Sequence, residues 1–280
     1  MKRTAWAFAL GCCLLPASLV SAQAEPGAMV PVEGGQVYAE TCGKPTDRAI
    51  VLLHDGVLHS AAFDPVWPDL CRRYRVVRYD RRGFGRSPAP TAPYASTDDV
   101  EAVMRAAGVA HATIIGGSEG GGLAVQFALA HPEQVDRLIL VGPSISGLPV
   151  SAHFIKRGQA TIGAVLAGDF EGAMKDPYVL APDHVEARAR ALALLRANPQ
   201  NLTHPNTARE APPAAKRLGE IKVPTLILVG DKDIADVQAW AGEAEVLIPG
   251  ARRVVIPDAG HLIYFEQPGP FIQQVGAFVR

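Results

Sequence analysis

Residues 112–123 read Ala-Thr-Ile-Ile-Gly-Gly-Ser-Glu-Gly-Gly-Gly-Leu, an apolar, largely β-branched run that leads straight into a serine bracketed by glycines. The helical spacing of Leu123 to His131 follows, so the segment reads as strand, sharp turn and helix with Ser118 at the apex. Gly116 and Gly120 flank it in a G-x-S-x-G pattern. A turn this tight brings strand and helix so close that side chains at the flanking positions would crowd them, and it holds the serine hydroxyl out in the open. Glycines and serines are common after strands, so the pattern alone is equally compatible with an ordinary turn.

Two downstream segments break that tie. Val223-Pro-Thr-Leu-Ile-Leu-Val-Gly-Asp-Lys-Asp233 is a buried-strand run that ends in Gly230 and offers two carboxylates. Val254-Val-Ile-Pro-Asp-Ala-Gly-His261 is another short apolar strand, ending in a loop with one histidine. Serine is a poor nucleophile at neutral pH unless an imidazole takes its proton and a carboxylate holds that imidazole in the right tautomer. Here each of the three groups follows its own strand. The residues leave Asp231, Asp233 and Asp236 open as the acid.

With the order serine, aspartate, histidine, the chain resembles the α/β-hydrolase family. The resemblance runs from about Gly35 to the C-terminus. It is densest at Val51-Leu-Leu-His-Asp-Gly56, at Arg78-Tyr-Asp-Arg-Arg-Gly-Phe-Gly-Arg-Ser87, at the serine turn, and at Gly230-Asp-Lys-Asp233 with Gly260-His261. It implies Ser118, Asp233 and His261 as catalytic residues, with Asp233 as the last position of Gly-Asp-x-Asp. It also implies an oxyanion hole made of two backbone N–H groups, those of Glu119 and of Gly56, with Val57 as the fallback for the second. The chain departs from the family's His-Gly-x loop, because His54-Asp55-Gly56 puts a carboxylate where a developing negative oxygen would be repelled. Asp55 is therefore expected to turn away and bond to loop amides. The Glu119 side chain is expected to do no more than favour the positive end of its helix.

The expected fold class is α/β, with a mostly parallel central sheet, helices on both faces and a small helical cap. Strands are expected near Val37 to Thr41, Ala49 to His54, Arg75 to Tyr79, Ala112 to Ile115, Arg137 to Val141, Thr225 to Val229 and Arg253 to Ile256. Ser96-Thr-Asp-Asp99 reads as a capping box before a helix over Val100 to Ala107. The arginine-rich loop Asp80 to Ser87 is expected to serve structure more than anion binding. From about 144 to 221 the pattern loosens into helical segments broken by Pro177, Pro182, Pro199, Pro205 and Pro212-Pro213, with no convincing strand. By the resemblance this insertion is the cap over the site. Phe154, Ile155, Phe170, Tyr178 and Leu180 are its plausible pocket residues, although apolar side chains at such intervals more often join cap to core.

The N-terminus is expected to be a signal peptide over residues 1–24. Lys2 and Arg3 precede an apolar stretch from Ala5 to Val20, interrupted by Pro16 and Ser18, and Ala22-Gln23-Ala24 supplies a small-x-small cleavage site. The mature domain, 25–280, would then be exported to the periplasm or medium, with no stable membrane span. It keeps two cysteines, Cys42 and Cys71, which an oxidising compartment can pair, against the alternative of two separate buried thiols. It carries 25 basic and 28 acidic residues, a balance that implies no nucleic-acid partner.

No H-E-x-x-H or C-x-x-C is present, so no metal site is expected, and no Gly-Lys-Ser/Thr follows the glycines of the serine turn. No cofactor is required by the implied chemistry. The sequence is thus read as a serine hydrolase acting on a small-molecule acyl substrate, a small or medium carboxylic ester or lactone, through an acyl-enzyme. The alternatives are a ligand-binding protein of the same fold with little turnover, and a carbon–carbon hydrolase or perhydrolase using the same triad.

Overall fold

The computed structural model describes residues 27–204, 207–209 and 211–280. The expected signal segment lies outside the described residues, as does Pro205.

Eight strands form one sheet: β1 (Ala28–Val32), β2 (Gly35–Cys42), β3 (Ala49–Leu53), β4 (Arg75–Tyr79), β5 (Ala112–Gly117), β6 (Val135–Val141), β7 (Thr225–Gly230) and β8 (Arg252–Ile256). Their spatial order is β1-β2-β4-β3-β5-β6-β7-β8. Every pair from β4 onward is parallel, while β1 and β2 run antiparallel at one edge. This is the mostly parallel α/β sheet that the sequence implies. The sequence reading, however, places seven strands, and β1 is the one it lacks. β1 is a short apolar run, Ala-Met-Val-Pro-Val, but it carries Pro31, shows no alternation, is largely exposed and pairs only with β2 as an edge hairpin, so it lacks the unbroken β-branched pattern of the other strands.

Strands β4, β5 and β7 are buried at every position, as parallel strands covered on both faces must be. Alternation divides the core in two. Val51 and Leu53 of β3 face a cluster with α2 (Ser96–Ala106), α3 (Glu119–Ala130) and α7 (Ala235–Leu247), through residues such as Met104, Phe127 and Trp240. Ile50 and Leu52 face the opposite cluster, with α1 (Trp67–Cys71), α8 (Ile263–Glu266) and α9 (Pro268–Phe278), through Leu70, Tyr264 and Phe271. Cys42, closing β2, is bonded to Cys71, closing α1, with their Cα atoms 5.4 Å apart.

Helix α2 corrects one expectation. It starts at Ser96, its N-cap Ala95 makes no side-chain cap, and Asp99 is buried and bound to Arg82 by two hydrogen bonds of 2.8 and 2.7 Å. The pull of a buried guanidinium outweighs a cap bond. Asp80 of the same loop supports structure as expected, accepting from the amides of Ser60 and Arg86, each at 2.9 Å.

Between β6 and β7 the described residues form α4 (Ala152–Leu166), α5 (Phe170–Ala173) and α6 (Val185–Ala197), with a short turn between the first two and the longer connection 174–184 before the third. Ser151 caps α4 by accepting from the Phe154 amide at 3.1 Å.

Candidate active site

Ser118 sits between β5 and α3 with φ 53° and ψ −119°, a left-handed conformation that costs a non-glycine residue of order 1–3 kcal/mol. The surroundings hold it there. Its N–H donates to the Val141 carbonyl at 2.9 Å, and its own carbonyl accepts from Gly121, Gly122 and Ser144. A Cβ at Gly116 would overlap the Gly120 carbonyl, and one at Gly120 would overlap the Leu53 carbonyl, so strand and helix meet backbone to backbone. The Ser118 side chain is half-exposed, and its hydroxyl makes no hydrogen bond among the described residues.

His261 follows β8 and reaches back over the sheet, its N–H donating to the carbonyls of Tyr178 at 2.9 Å and Val179 at 3.2 Å. Its Nδ1 lies 2.8 Å from Asp233 Oδ2, and Asp233, buried after β7, accepts from the Ile234 amide at 2.8 Å through Oδ1. Burial pulls the His261 pKa down, but the Asp233 charge and hydrogen bond outweigh it and the net shift is upward. Gly142 lets the imidazole in. It directly follows Val141, whose carbonyl receives the Ser118 N–H, and a Cβ on it would come within 2.9 Å of His261 Nδ1. Serine and imidazole thus stand over neighbouring strand ends.

The other two acids are engaged elsewhere. Asp231 accepts from the Ala259 amide at 3.2 Å, and Asp236 takes the Ser151 amide and hydroxyl at 2.7 and 2.8 Å. Of the three carboxylates, Asp233 is the one bonded to the imidazole.

The Asp55 carboxylate is fully buried and taken up by protein donors. Its Oδ1 accepts from Val57 and Leu58 at 2.8 and 2.7 Å, and its Oδ2 takes the Tyr264 hydroxyl at 3.0 Å. Because the Val57 amide is consumed, it is not available as an oxyanion donor. The amides of Gly56 and Glu119 make no hydrogen bond among the described residues. The Glu119 carboxylate folds against Gly56, where a Cβ would overlap it, and pairs with Arg81 Nη2 at 3.2 Å. Its side chain therefore does more than face its own helix end.

His54 is not part of the catalytic chemistry. Its Nε2 accepts from the Arg81 amide at 2.9 Å and its Nδ1 donates to the Asp55 carbonyl at 2.7 Å, which fixes a neutral ring. Burial and then the Arg81 charge push its pKa well down. Sequence reasoning does not single out Tyr264 or Gly142, and it weighs Arg81 only as one of the arginines of the Asp80 to Ser87 loop. Gly142-Pro143 after an apolar strand was a readable turn signal, whereas Tyr264 looked like any aromatic of the final helices.

The five residues nominated for the pocket separate. Leu180 is fully buried core, Ile155 is exposed, and Phe154 packs edge-on against Trp240 at 5.1 Å. Phe170 packs against the cluster on the α9 side. Tyr178 alone touches the His261 loop, through its carbonyl. Among the described residues no group of three or more His, Cys, Asp or Glu could hold a metal ion, and no helix is long and apolar enough to cross a membrane.

Known proteins share both sequence and shape. The pattern of the alpha/beta hydrolase family matches residues 50–274. Carboxylesterase YbfK of Bacillus subtilis is 26% identical over 253 residues, covering 88% of this chain and 84% of its own. The pimeloyl-[acyl-carrier protein] methyl ester esterase of Nitrosomonas europaea is 26% identical over 254 residues, covering 84% and 96%. The crystal structure of the enol-lactonase from Burkholderia xenovorans LB400 superposes with a TM-score of 0.76 at 26% identity, covering 90% of this chain and 99% of that one. These relatives are hydrolases of ester bonds, which supports ester hydrolysis here in general terms. With the sheet order, the serine turn and a family pattern spanning well over half its length, the chain belongs to the alpha/beta hydrolase family.

Proposed function

We propose that the protein is an exported serine hydrolase that cleaves small or medium carboxylic esters or lactones through an acyl-enzyme. The observation that carries this reading is the bonded Asp233–His261 pair over the strand end next to a serine held in a strained turn. Ser118 Oγ attacks the ester carbonyl while His261 Nε2 takes its proton, and Asp233 keeps the Nδ1–H oriented and steadies the imidazolium. The amides of Gly56 and Glu119 donate to the oxyanion. Collapse of the tetrahedral intermediate expels the alkoxide, which His261 protonates. Water, deprotonated by the same imidazole, then attacks the acyl-enzyme and releases the acid and free Ser118.

The helices between β6 and β7 act in this reading as a cap over residues 144–221 that limits what enters. Export is supported by the signal-like N-terminus, and the Cys42–Cys71 bond fits an oxidising compartment. The test is turnover of an aryl acetate by the chain from residue 25 and by its Ser118→Ala variant. Turnover by the wild type alone supports the mechanism. Equal turnover by both sinks it, and turnover by neither, in folded protein, favours a ligand-binding role.

A further inference from the structure

Two cavities beside the oxyanion loop share a wall. The first, about 230 Å³, is lined by Gly56, Tyr94 and His204 together with Arg81, Ser96 and Glu119. The second, about 350 Å³, runs on from those last three residues to Gln126 and Arg209. Their common wall is the Arg81–Glu119 ion pair.

Arg81 is incompletely used by the protein. Arg82, next to it, gives its donors to Asp99 and to the Glu33 carbonyl. Among the described residues the Arg81 side chain donates only through Nη2, to the Asp55 carbonyl at 2.8 Å and to Glu119 at 3.2 Å. Its Nε is buried and has no acceptor among the described residues. A buried donor left unpaired is costly, and a guanidinium with spare donors beside a cavity matches the geometry of a carboxylate. The pair is also unevenly anchored. The Arg81 side chain is 16% exposed and stacks on Phe84, whereas Glu119 is 58% exposed. A solvated carboxylate holds its partner weakly, so an incoming anion displaces Glu119 and leaves Arg81 in place. Among the described residues the two cavities together carry two guanidinium groups against one carboxylate. Tyr94, Ser96 and His204 give the first cavity a largely polar lining, and Leu123, Ala95 and Ala211 make the second mixed.

We propose that this double cavity receives a carboxylate carried by the substrate and holds it on Arg81 beside the oxyanion loop, so that anionic esters are preferred over simple alkyl esters. The proposal rests on the serine-hydrolase reading. Three aryl esters test it with the mature chain: neutral 4-nitrophenyl acetate, mono-4-nitrophenyl succinate with the charge on the acyl part, and 4-acetoxybenzoate with the charge on the alcohol part. One of the anionic esters should show the higher kcat/KM over its neutral counterpart, and added salt should erode that advantage. Arg81→Gln should lower the anionic-to-neutral ratio about tenfold, the loss of one charge-assisted hydrogen bond. Glu119→Gln should raise the ratio by removing the competing carboxylate, and Arg209→Gln should lower it by less.

A purely structural ion pair would move all three substrates together, so an unchanged ratio in these variants overturns the proposal. If Arg81→Gln does not fold, the opposite signs at Glu119 and Arg209 still decide. Absence of turnover for every ester would fail the serine-hydrolase reading instead. Binding of glutarate, read as a salt-sensitive thermal stabilisation that Arg81→Gln abolishes, Arg209→Gln weakens and Glu119→Gln strengthens, would then keep the subsite, and its absence would overturn it as well.

Discussion

At the carboxyl ends of β3, β5 and β6 the backbone leaves no room for alternatives, with Gly120 against the Leu53 carbonyl and Gly142 against His261. Helix α4 is built differently. Of its fifteen residues only Val165 is fully buried, and Leu166 stands 69% exposed, as Val185 at the start of α6 stands 70% exposed. The strand ends hold reacting groups by close backbone contact and buried hydrogen bonds, which tolerates almost no change. Helix α4 rests on few buried contacts, so its sequence can vary and its position can shift at low cost, whereas Leu180, Ala191 and Leu195 further along tie the rest of the segment to the core. In the proposed mechanism this contrast makes placement of the nucleophile rigid and leaves α4 free to adjust.

Substitutions sharpen that contrast. Ser118→Ala should lower kcat/KM for an aryl ester by at least about 10⁴-fold, because the remaining members of such a unit do little alone. Asp233→Asn should cost about 10³- to 10⁴-fold in steady-state rate by losing the imidazole's orientation. It also moves the pH profile. Only neutral His261 accepts the serine proton, and its pKa lies above 6.5 in the wild type, so the rate should rise with pH through a midpoint above that value. Without the Asp233 charge the midpoint should shift to lower pH. By the same sign, the ion pair stabilises the fold below pH 6.5, and that contribution is lost as pH rises through the raised pKa.

Stability should follow the same division. Cys42→Ser with Cys71→Ser opens a loop with a sequence separation of 29 residues and should cost about 3–4 kcal/mol in denaturant titration. Gly120→Val, which forces a side chain onto the Leu53 carbonyl, should cost about 3 kcal/mol. Leu166→Ser on the exposed face of α4 should change stability by under about 0.5 kcal/mol. An equal loss at Gly120 and Leu166 would erase the distinction between the two regions.

The serine turn was legible because its constraint is local: a strand, two glycines and a helix write themselves into a few consecutive residues. The sheet was legible for the same reason except at β1, where Pro31 and exposure hide the pattern. The acid was not settled by residue types, since Asp231, Asp233 and Asp236 lie within six positions. Tertiary bonds to Ala259 and Ser151 remove two of them. The capping box at Ser96 failed for a similar reason, because no local rule announces that Arg82 claims Asp99. The Arg81–Glu119 pair joins residues 38 apart and has no sequence signature at all.

The most direct test of Ser118 as an activated nucleophile needs no knowledge of the substrate. The chain from residue 25 and its Ser118→Ala variant are exposed to a fluorophosphonate and weighed intact. An activated Ser118 gives one phosphonyl adduct on the wild type and none on the variant; an unmodified wild type, or equal labelling of both, would contradict that role.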